Sequence, residues 1–260
     1  MKIWTLARRE LSLAFRTPIG FILLCVYSLI SGFVFVLLLL RFQSIGLQAL
    51  QNPYGTLDTV IPISTESWLI QPYLSNISQV LIFFIPFLTM GSIAGERRTG
   101  NLELLLSYPM TTGEIVLGKF LGVLMVFACL LAVNFIHILL FALFRDPGWG
   151  TVGASLLGLL FMGAAAIALG IFISALSQGP LEAAVLTLGL LAGLVLVGGT
   201  QANEGWRQIL QFISPLGHFQ ELSRGILKLD PLLAYGAGIA AALAFALRGV
   251  DWLRWRGAGS

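Results

Sequence analysis

The chain has 260 residues, of which 57% are hydrophobic and only 10% are charged, and its net charge is +3. Soluble domains carry roughly 25% charged residues, so this composition excludes an ordinary soluble domain and indicates a protein surrounded by lipid. The mean hydropathy of +0.92 agrees. Basic residues flank apolar runs, which favours a role in membrane orientation over nucleic-acid binding. Cys25 and Cys129 lie inside apolar runs, where we expect neither a disulfide framework nor a zinc site.

The first segment, 1–17, predicts a basic amphipathic helix. Its apolar and polar residues separate onto two helical faces, which suits a helix lying in the membrane interface with arginines toward anionic headgroups. A solvated N-terminal helix is the alternative. The apolar face contains Ile3, Trp4, Ala7, Leu11, Ala14 and Phe15, and the polar face contains Lys2, Thr5, Arg9, Ser12 and Arg16. Pro18 ends this helix.

Six apolar runs predict six transmembrane helices, since a span needs roughly 20 apolar residues. They lie at 19–40, 76–94, 115–144, 153–176, 181–199 and 232–248. The first run has 22 residues and exceeds the roughly 7–15 residues of a signal peptide core, so we expect an uncleaved helix. The connection 41–75 is polar and contains several prolines, and we expect little regular structure there.

Small residues four positions apart let membrane helices approach closely. Three such pairs occur in the chain: Gly118 with Gly122, Gly189 with Gly193, and Gly238 with Ala242.

An even number of spans places both termini on one side of the membrane. Lys and Arg accumulate in cytoplasmic segments. With the termini inside, ten of the 15 basic residues fall in inner segments. The sequence therefore predicts cytoplasmic termini.

The connection 95–110 between the second and third spans predicts a short amphipathic cytoplasmic helix. Its charges and leucines are Glu96, Arg97, Arg98, Leu102, Glu103, Leu104, Leu105 and Leu106, and Pro109 ends it. Thr111 and Glu114 then have the spacing of a capping box that starts the third span. These residues alone leave open whether the helix lies on the membrane surface or docks into a soluble partner.

The run Gly95 to Leu106, followed by Pro109 and by the pair Gly118-Lys119, resembles the motif of ABC-2 type transporter permeases. Asn101 stands where that family usually has threonine. Two other segments also resemble this family: 7–11 with 18–20 is similar to its elbow helix, and 214–225 to its outer re-entrant hairpin. The resemblance covers nearly the whole chain and looks closest to the gliding-motility-associated, GldF-like branch.

The resemblance implies one all-α integral membrane domain over 1–260, with six transmembrane helices. It further implies an elbow helix at 1–17, a coupling helix at 95–110 and an outer hairpin at 200–231. The hairpin residues singled out are Pro215, His218 and Arg224.

The implied function is that of a permease subunit of an export-type ABC transporter in the bacterial inner membrane. Two permease chains, identical or related, would form the pore. Two separate cytoplasmic ATPase subunits would bind the coupling helix and carry ATP and magnesium, so no cofactor or metal is expected on this chain. The turn Ser174–Glu182 would make a second contact with the ATPase. Glu182 lies in the first turn of the fifth span, where a carboxylate suits the helix dipole, and we favour that role over ATPase contact. The GldF-like branch implies an alternative: force transmission to an outer or periplasmic protein without solute transport.

Asn134 and His137 are polar residues on one face of the third span. Such residues are functional candidates, but we favour a role in bridging helices. The stretch Gly113–Phe120 nearly matches a nucleotide-binding Walker A loop, but Phe120 cannot ligate magnesium and no strand precedes it. Because no catalytic set stands out, we expect no enzymatic activity from this chain.

Overall fold

A computed structural model describes residues 2–51, 64–101, 110–199 and 229–257, together with 217, 219, 222 and 223. These parts are almost wholly helical, which confirms the predicted all-α class. The helices are α1 (Lys2–Arg16), α2 (Pro18–Gln51), α3 (Gln71–Thr89), α4 (Ala94–Arg98), α5 (Thr112–Ala142), α6 (Trp149–Leu176), α7 (Pro180–Gly199) and α8 (Leu229–Gly257). A π-helical turn, Glu66–Ile70, leads directly into α3.

Five helical stretches of the described chain are long and apolar enough to cross a membrane. They are Gly20–Leu47, Glu66–Arg98, Thr112–Ala142, Trp149–Leu176 and Leu229–Trp252. The predicted fifth span corresponds to α7, a helix of 20 residues whose side chains are described from Pro180 to Leu196, a stretch shorter than these five. A multi-pass membrane protein is therefore confirmed, and a sixth crossing by α7 stays a prediction.

The expectation of little regular structure over 41–75 is wrong at both ends. Helix α2 continues to Gln51, because no proline or helix-ending pair interrupts the chain before Pro53. Residues 65–75 are also helical. Pro72 causes no break there; it lies at the second position of α3, which follows the π-helical turn directly.

The start of α5 carries the predicted capping box. The backbone N–H of Glu114 donates to Thr111 Oγ1 at 3.3 Å, and the Thr111 N–H donates to Glu114 Oε2 at 2.9 Å. Two N–H groups that the first helical turn would leave unpaired are thus satisfied. This local sequence signal is confirmed.

Helix α6 forms the centre of the bundle and contacts α3, α5, α7 and α8. Its glycines allow this close approach. A Cβ atom added at Gly163 would lie 2.1 Å from the Phe127 ring of α5, and one added at Gly170 would lie 2.5 Å from Thr89 Oγ1 of α3. Interhelical packing of small residues drives the association of membrane helices, so α6 organises the core.

Of the three predicted pairs of small residues, the pair Gly118 and Gly122 lies in close contact with another helix. There α1 lies against α5, and added Cβ atoms would meet Leu6 at 2.7 Å and Glu10 at 2.4 Å. The glycines of the other two pairs have no such neighbour within 4 Å in the described chain; they are Gly189, Gly193 and Gly238.

One end of the bundle gathers α1, α4, the start of α5 and the end of α8, and we call it the α1 end. Thr112 Oγ1 donates to Asp251 Oδ1 at 2.6 Å, which brings α8 to the start of α5. At the opposite end, Thr151 Oγ1 donates to Glu66 Oε2 at 3.2 Å. Gly148, with φ of 75°, leaves room there for the Glu66 carboxylate, which a side chain would displace.

Candidate functional site

The candidate site lies at the α1 end, around the short helix α4. Glu96, Arg97 and Arg98 belong to α4. The remaining residues predicted for ATPase coupling in this connection lie outside the described residues: Leu102, Glu103, Leu104, Leu105 and Pro109. The structure therefore describes Ala94–Arg98 and the turn that follows to residue 101. We call this part the base of the connection 95–110.

The start of α4 is fixed to the end of α6 by Ser174. This serine is fully buried, and its Oγ accepts the backbone N–H groups of Ile93 and Ala94 at 3.2 and 3.0 Å. The first N–H groups of a helix have no partner within the helix, so a side chain from α6 supplies the cap here. Arg97 adds a second link, since its Nη1 donates to the Ser177 carbonyl at 3.3 Å.

A buried ion cluster joins α4 to two other helices. Lys119 of α5 is fully buried, and its Nζ lies 3.2 Å from Glu10 Oε1 of α1 and 2.7 Å from Glu96 Oε2 of α4. The Lys119–Glu96 contact has the distance of an ion pair but lacks the angular geometry of a hydrogen bond. A buried charge is costly unless it is paired, so Lys119 requires at least one of these two carboxylates beside it.

The chain leaves α4 through a sharp turn. The Thr99 hydroxyl donates to the Gly95 carbonyl at 3.2 Å, and Gly100 has φ of 74°, a conformation that favours glycine. Arg98 is exposed beside this turn. The described part of this connection thus ends in a turn formed by Thr99 and Gly100.

Glu182 lies at the start of α7, on the other connection at this end. Its side chain is exposed, and its Oε2 accepts the backbone N–H of Gln178 at 2.8 Å. A carboxylate at this position also suits the positive end of the helix dipole. This position is the one on which the favoured helix-dipole role rests, and that role stays a prediction, as does contact with an ATPase.

Asn134 and His137 take part in a polar network between α2, α3 and α5. Asn134 accepts from Tyr73 Oη at 3.0 Å and donates to Tyr27 Oη at 2.5 Å. His137 Nδ1 lies 3.1 Å from Tyr73 Oη and 3.4 Å from Ser31 Oγ. These contacts agree with the favoured helix-bridging role, because each polar group pairs with a side chain of another helix.

The predicted outer hairpin is described only in part. Its three singled-out residues lie outside the described residues: Pro215, His218 and Arg224. Phe219 and Leu222 are buried, and both come within 3.3 Å of a Cβ added at Gly158 of α6. Ser155 Oγ donates to the Ser223 carbonyl at 3.4 Å.

The sequence did not predict the residues that fix α4 in place. These are Lys119, its second partner Glu10, and Ser174, whereas the predicted site residues on α4 itself are Glu96, Arg97 and Arg98. One signal was available: Lys119 follows the apolar run from Ile115 to Leu117, and a charge in a membrane helix calls for a partner. The same lysine completes the near-match to a Walker A loop, and here two carboxylates pair with it.

Comparison with known proteins identifies the family. A model described as ABC-2 family transporter protein matches residues 4–250. "Probable multidrug ABC transporter permease YbhR" of Escherichia coli K12 is 26% identical over 170 residues, covering 64% of this chain and 45% of the relative. "Probable ABC transporter permease protein NosY" of Pseudomonas aeruginosa is 29% identical over 174 residues, covering 65% of this chain and 51% of the relative.

The chain thus spans about half the length of the curated relatives it matches. Neither name refers to gliding motility, and the closer resemblance to that branch stays a prediction. The family-model match extends over nearly all of the chain, from the first turn of α1 into the last turns of α8. The chain therefore belongs to the ABC-2 family of transporter proteins.

Proposed function

We propose that this chain is the permease subunit of an export-type ABC transporter in the bacterial inner membrane. In this proposal two separate ATPase subunits hydrolyse ATP and dock at the connection 95–110. A second permease chain, identical or related, completes the pore. Family membership and the long apolar helices support the proposal.

The observation that carries the proposal is the firm attachment of α4. A segment that transmits movement from a soluble subunit must be joined to the transmembrane helices at its base. Ser174 caps α4 from α6, Arg97 reaches the end of α6, and the Lys119 cluster joins α4 to α5 and α1. Movement of the connection would therefore reach several helices at once.

The proposed topology has six crossings with both termini in the cytoplasm. The 20 residues of α7 extend about 30 Å at 1.5 Å per residue, close to the roughly 30 Å thickness of the hydrocarbon core. The packing of α1 on α5 and the Thr112–Asp251 hydrogen bond support termini at a common end. The excess of basic residues in the inner segments supports a cytoplasmic location for that end.

A second permease chain has an apolar surface available. Helix α2 exposes large side chains along the membrane region of this chain, including Phe21, Leu29 and Phe33 at 56%, 74% and 66%. Lipid tails accept such a surface as readily as a protein does, so the exposure permits either neighbour.

The test is purification of the tagged full-length chain in mild detergent, followed by mass spectrometry. We expect a soluble ATPase in stoichiometric amount, and its loss when Leu104 and Leu105 are both changed to Asp. The matched control changes the same leucines to Met, which keeps the apolar surface and should keep the ATPase. Absence of any ATPase after crosslinking in native membranes would refute the proposal. An outer or periplasmic protein in the same complex, without solute flux, would favour force transmission instead.

A further inference from the structure

The ion cluster of Glu10, Lys119 and Glu96 connects three helices at the α1 end, and α5 and α6 also pack directly on each other. On one side, α1 lies along α5, with Leu6 against Gly118 and Ala7 against Gly122. On the other side, α4 packs against α6 and α7. Lys119 contacts both sides, since Glu10 belongs to α1 and Glu96 to α4.

We propose that Lys119 is a positioning residue that transmits movement of the connection 95–110 to α5 through its ion pair with Glu96. This inference rests on the proposed function, because it assumes an ATPase bound at that connection. Hydrogen bonds to Ser174 and Ser177 let α4 move with α6, and the Lys119–Glu96 pair links α4 directly to α5, in addition to the packing of α5 on α6. Helix α1 then follows α5 by direct packing.

The two carboxylates of the cluster have different roles in this mechanism although they are equally buried. The Glu10 and Glu96 side chains are 16% and 15% exposed. Loss of Glu10 leaves α1 attached to α5 through Leu6 and Ala7, which need no charge. Loss of Glu96 removes the ionic link between α4 and α5.

The geometry allows each carboxylate to be removed without leaving an unpaired buried charge. Lys119 carries one positive charge and faces two carboxylates, so Glu10→Gln leaves the Lys119–Glu96 pair and Glu96→Gln leaves the Lys119–Glu10 pair. Removing one partner of a simple buried pair destabilises a protein strongly. These two variants avoid that problem. Unequal effects of the two variants on coupling would therefore reflect which helix each carboxylate belongs to, and not a difference in folding.

The experiment uses the full transporter complex in lipid nanodiscs and measures two quantities for each variant. The first is the amount of ATPase that co-purifies, and the second is the ATPase rate of the complex relative to the isolated ATPase subunit. The variants are Glu96→Gln, Glu10→Gln, Lys119→Met and the double variant Glu96→Gln/Lys119→Met. Arg9→Met is the control, because Arg9 is exposed on α1 beside Glu10.

We expect Glu96→Gln to retain the ATPase but to lose at least about five-fold in relative rate, the lower end of ordinary coupling between sites. The Arg9 control should stay within about two-fold of wild type, below that coupling range, and Glu10→Gln should lose less than Glu96→Gln. Lys119→Met should lose as much as Glu96→Gln. The double variant should lose no more than either single variant, because both act on one contact.

Three results would overturn the inference. Glu96→Gln with a wild-type relative rate would show that the pair transmits nothing. Equal losses in Glu10→Gln and Glu96→Gln would assign the cluster a purely structural role. Additive losses in the double variant would mean that Glu96 acts on another partner, such as the ATPase. A wild-type complex without any ATPase would instead refute the proposed function itself, and this inference with it.

Discussion

The packing of α5 against α6 leads to a prediction about Gly163, which lies beneath the Phe127 ring. Phe127 is fully buried, and a Cβ added at Gly163 would lie 2.1 Å from its Cζ and 2.2 Å from its Cε1. Ordinary contact begins near 3.4 Å. In Gly163→Ala the ring or the helices must therefore move by about 1.3 Å in a close-packed interior.

Two opposing effects set the magnitude of this prediction. Overpacking a core costs about 1–3 kcal/mol. Replacing Gly by Ala in a helix contributes up to ~1 kcal/mol of stability. We expect Gly163→Ala to lower the free energy of unfolding by about 1–2 kcal/mol, because an overlap this large lies toward the upper end of the overpacking range. Gly153→Ala is the matched control on the same helix, since its Cβ would meet nothing within 4 Å in the described chain.

The assay is reversible unfolding in mixed micelles at increasing SDS, followed by circular dichroism. Gly153→Ala should equal or exceed the wild type in stability, and Gly163→Ala should fall below it. The double variant Gly163→Ala/Phe127→Leu should be more stable than the sum of its single variants predicts, by about 0.5–3 kcal/mol. Equal stabilities of the two alanine variants would refute the inferred close packing.

Three further variants test the caps and the polar network. Thr111→Val removes the side-chain acceptor at the start of α5 and should cost about 1 kcal/mol, measured by the same unfolding assay. Asn134→Leu removes two interhelical hydrogen bonds and should cost more than Tyr27→Phe, which removes one, with each bond worth about 0.6–2 kcal/mol in a membrane; an equal cost would contradict the network. Ser174→Ala leaves the amide N–H groups of Ile93 and Ala94 without their acceptor, and hydrogen exchange should accelerate there but not at the Thr17 N–H, which donates to the Leu13 carbonyl of α1. Unchanged exchange at Ile93 would contradict the assigned cap.

Features encoded within a few consecutive residues were predictable from the sequence. The capping box depends on Thr111 and Glu114, which are three positions apart, and both its hydrogen bonds are present. The long helices follow from apolar runs whose length alone matches a bilayer. The chain beyond Leu40 was harder to predict, because polarity suggested a loop while the lack of a breaker before Pro53 allowed α2 to continue.

Features that depend on which helices meet were not predictable in the same way. The pairs Gly118/Gly122 and Gly189/Gly193 are equivalent as sequence patterns. Only the first receives a neighbouring helix within the described chain, because α1 folds back along α5. Helical periodicity identifies the face of a helix, but it does not name the partner, so Gly163 under Phe127 could not be anticipated.

Lys119 is both a local sequence feature and part of a contact between helices. Its position also bears on the membrane orientation inferred from basic residues. As a sequence feature it counts among ten basic residues of the inner segments, yet it is fully buried and paired with carboxylates. The orientation argument holds without it, since exposed arginines on α1, such as Arg8 and Arg9, can still face lipid headgroups. Lys119 lies near the α1 end of α5, where a lysine side chain can extend toward water during insertion. Because its carboxylate partners belong to α1 and α4, the burial of this charge depends on the packing of both helices at this end.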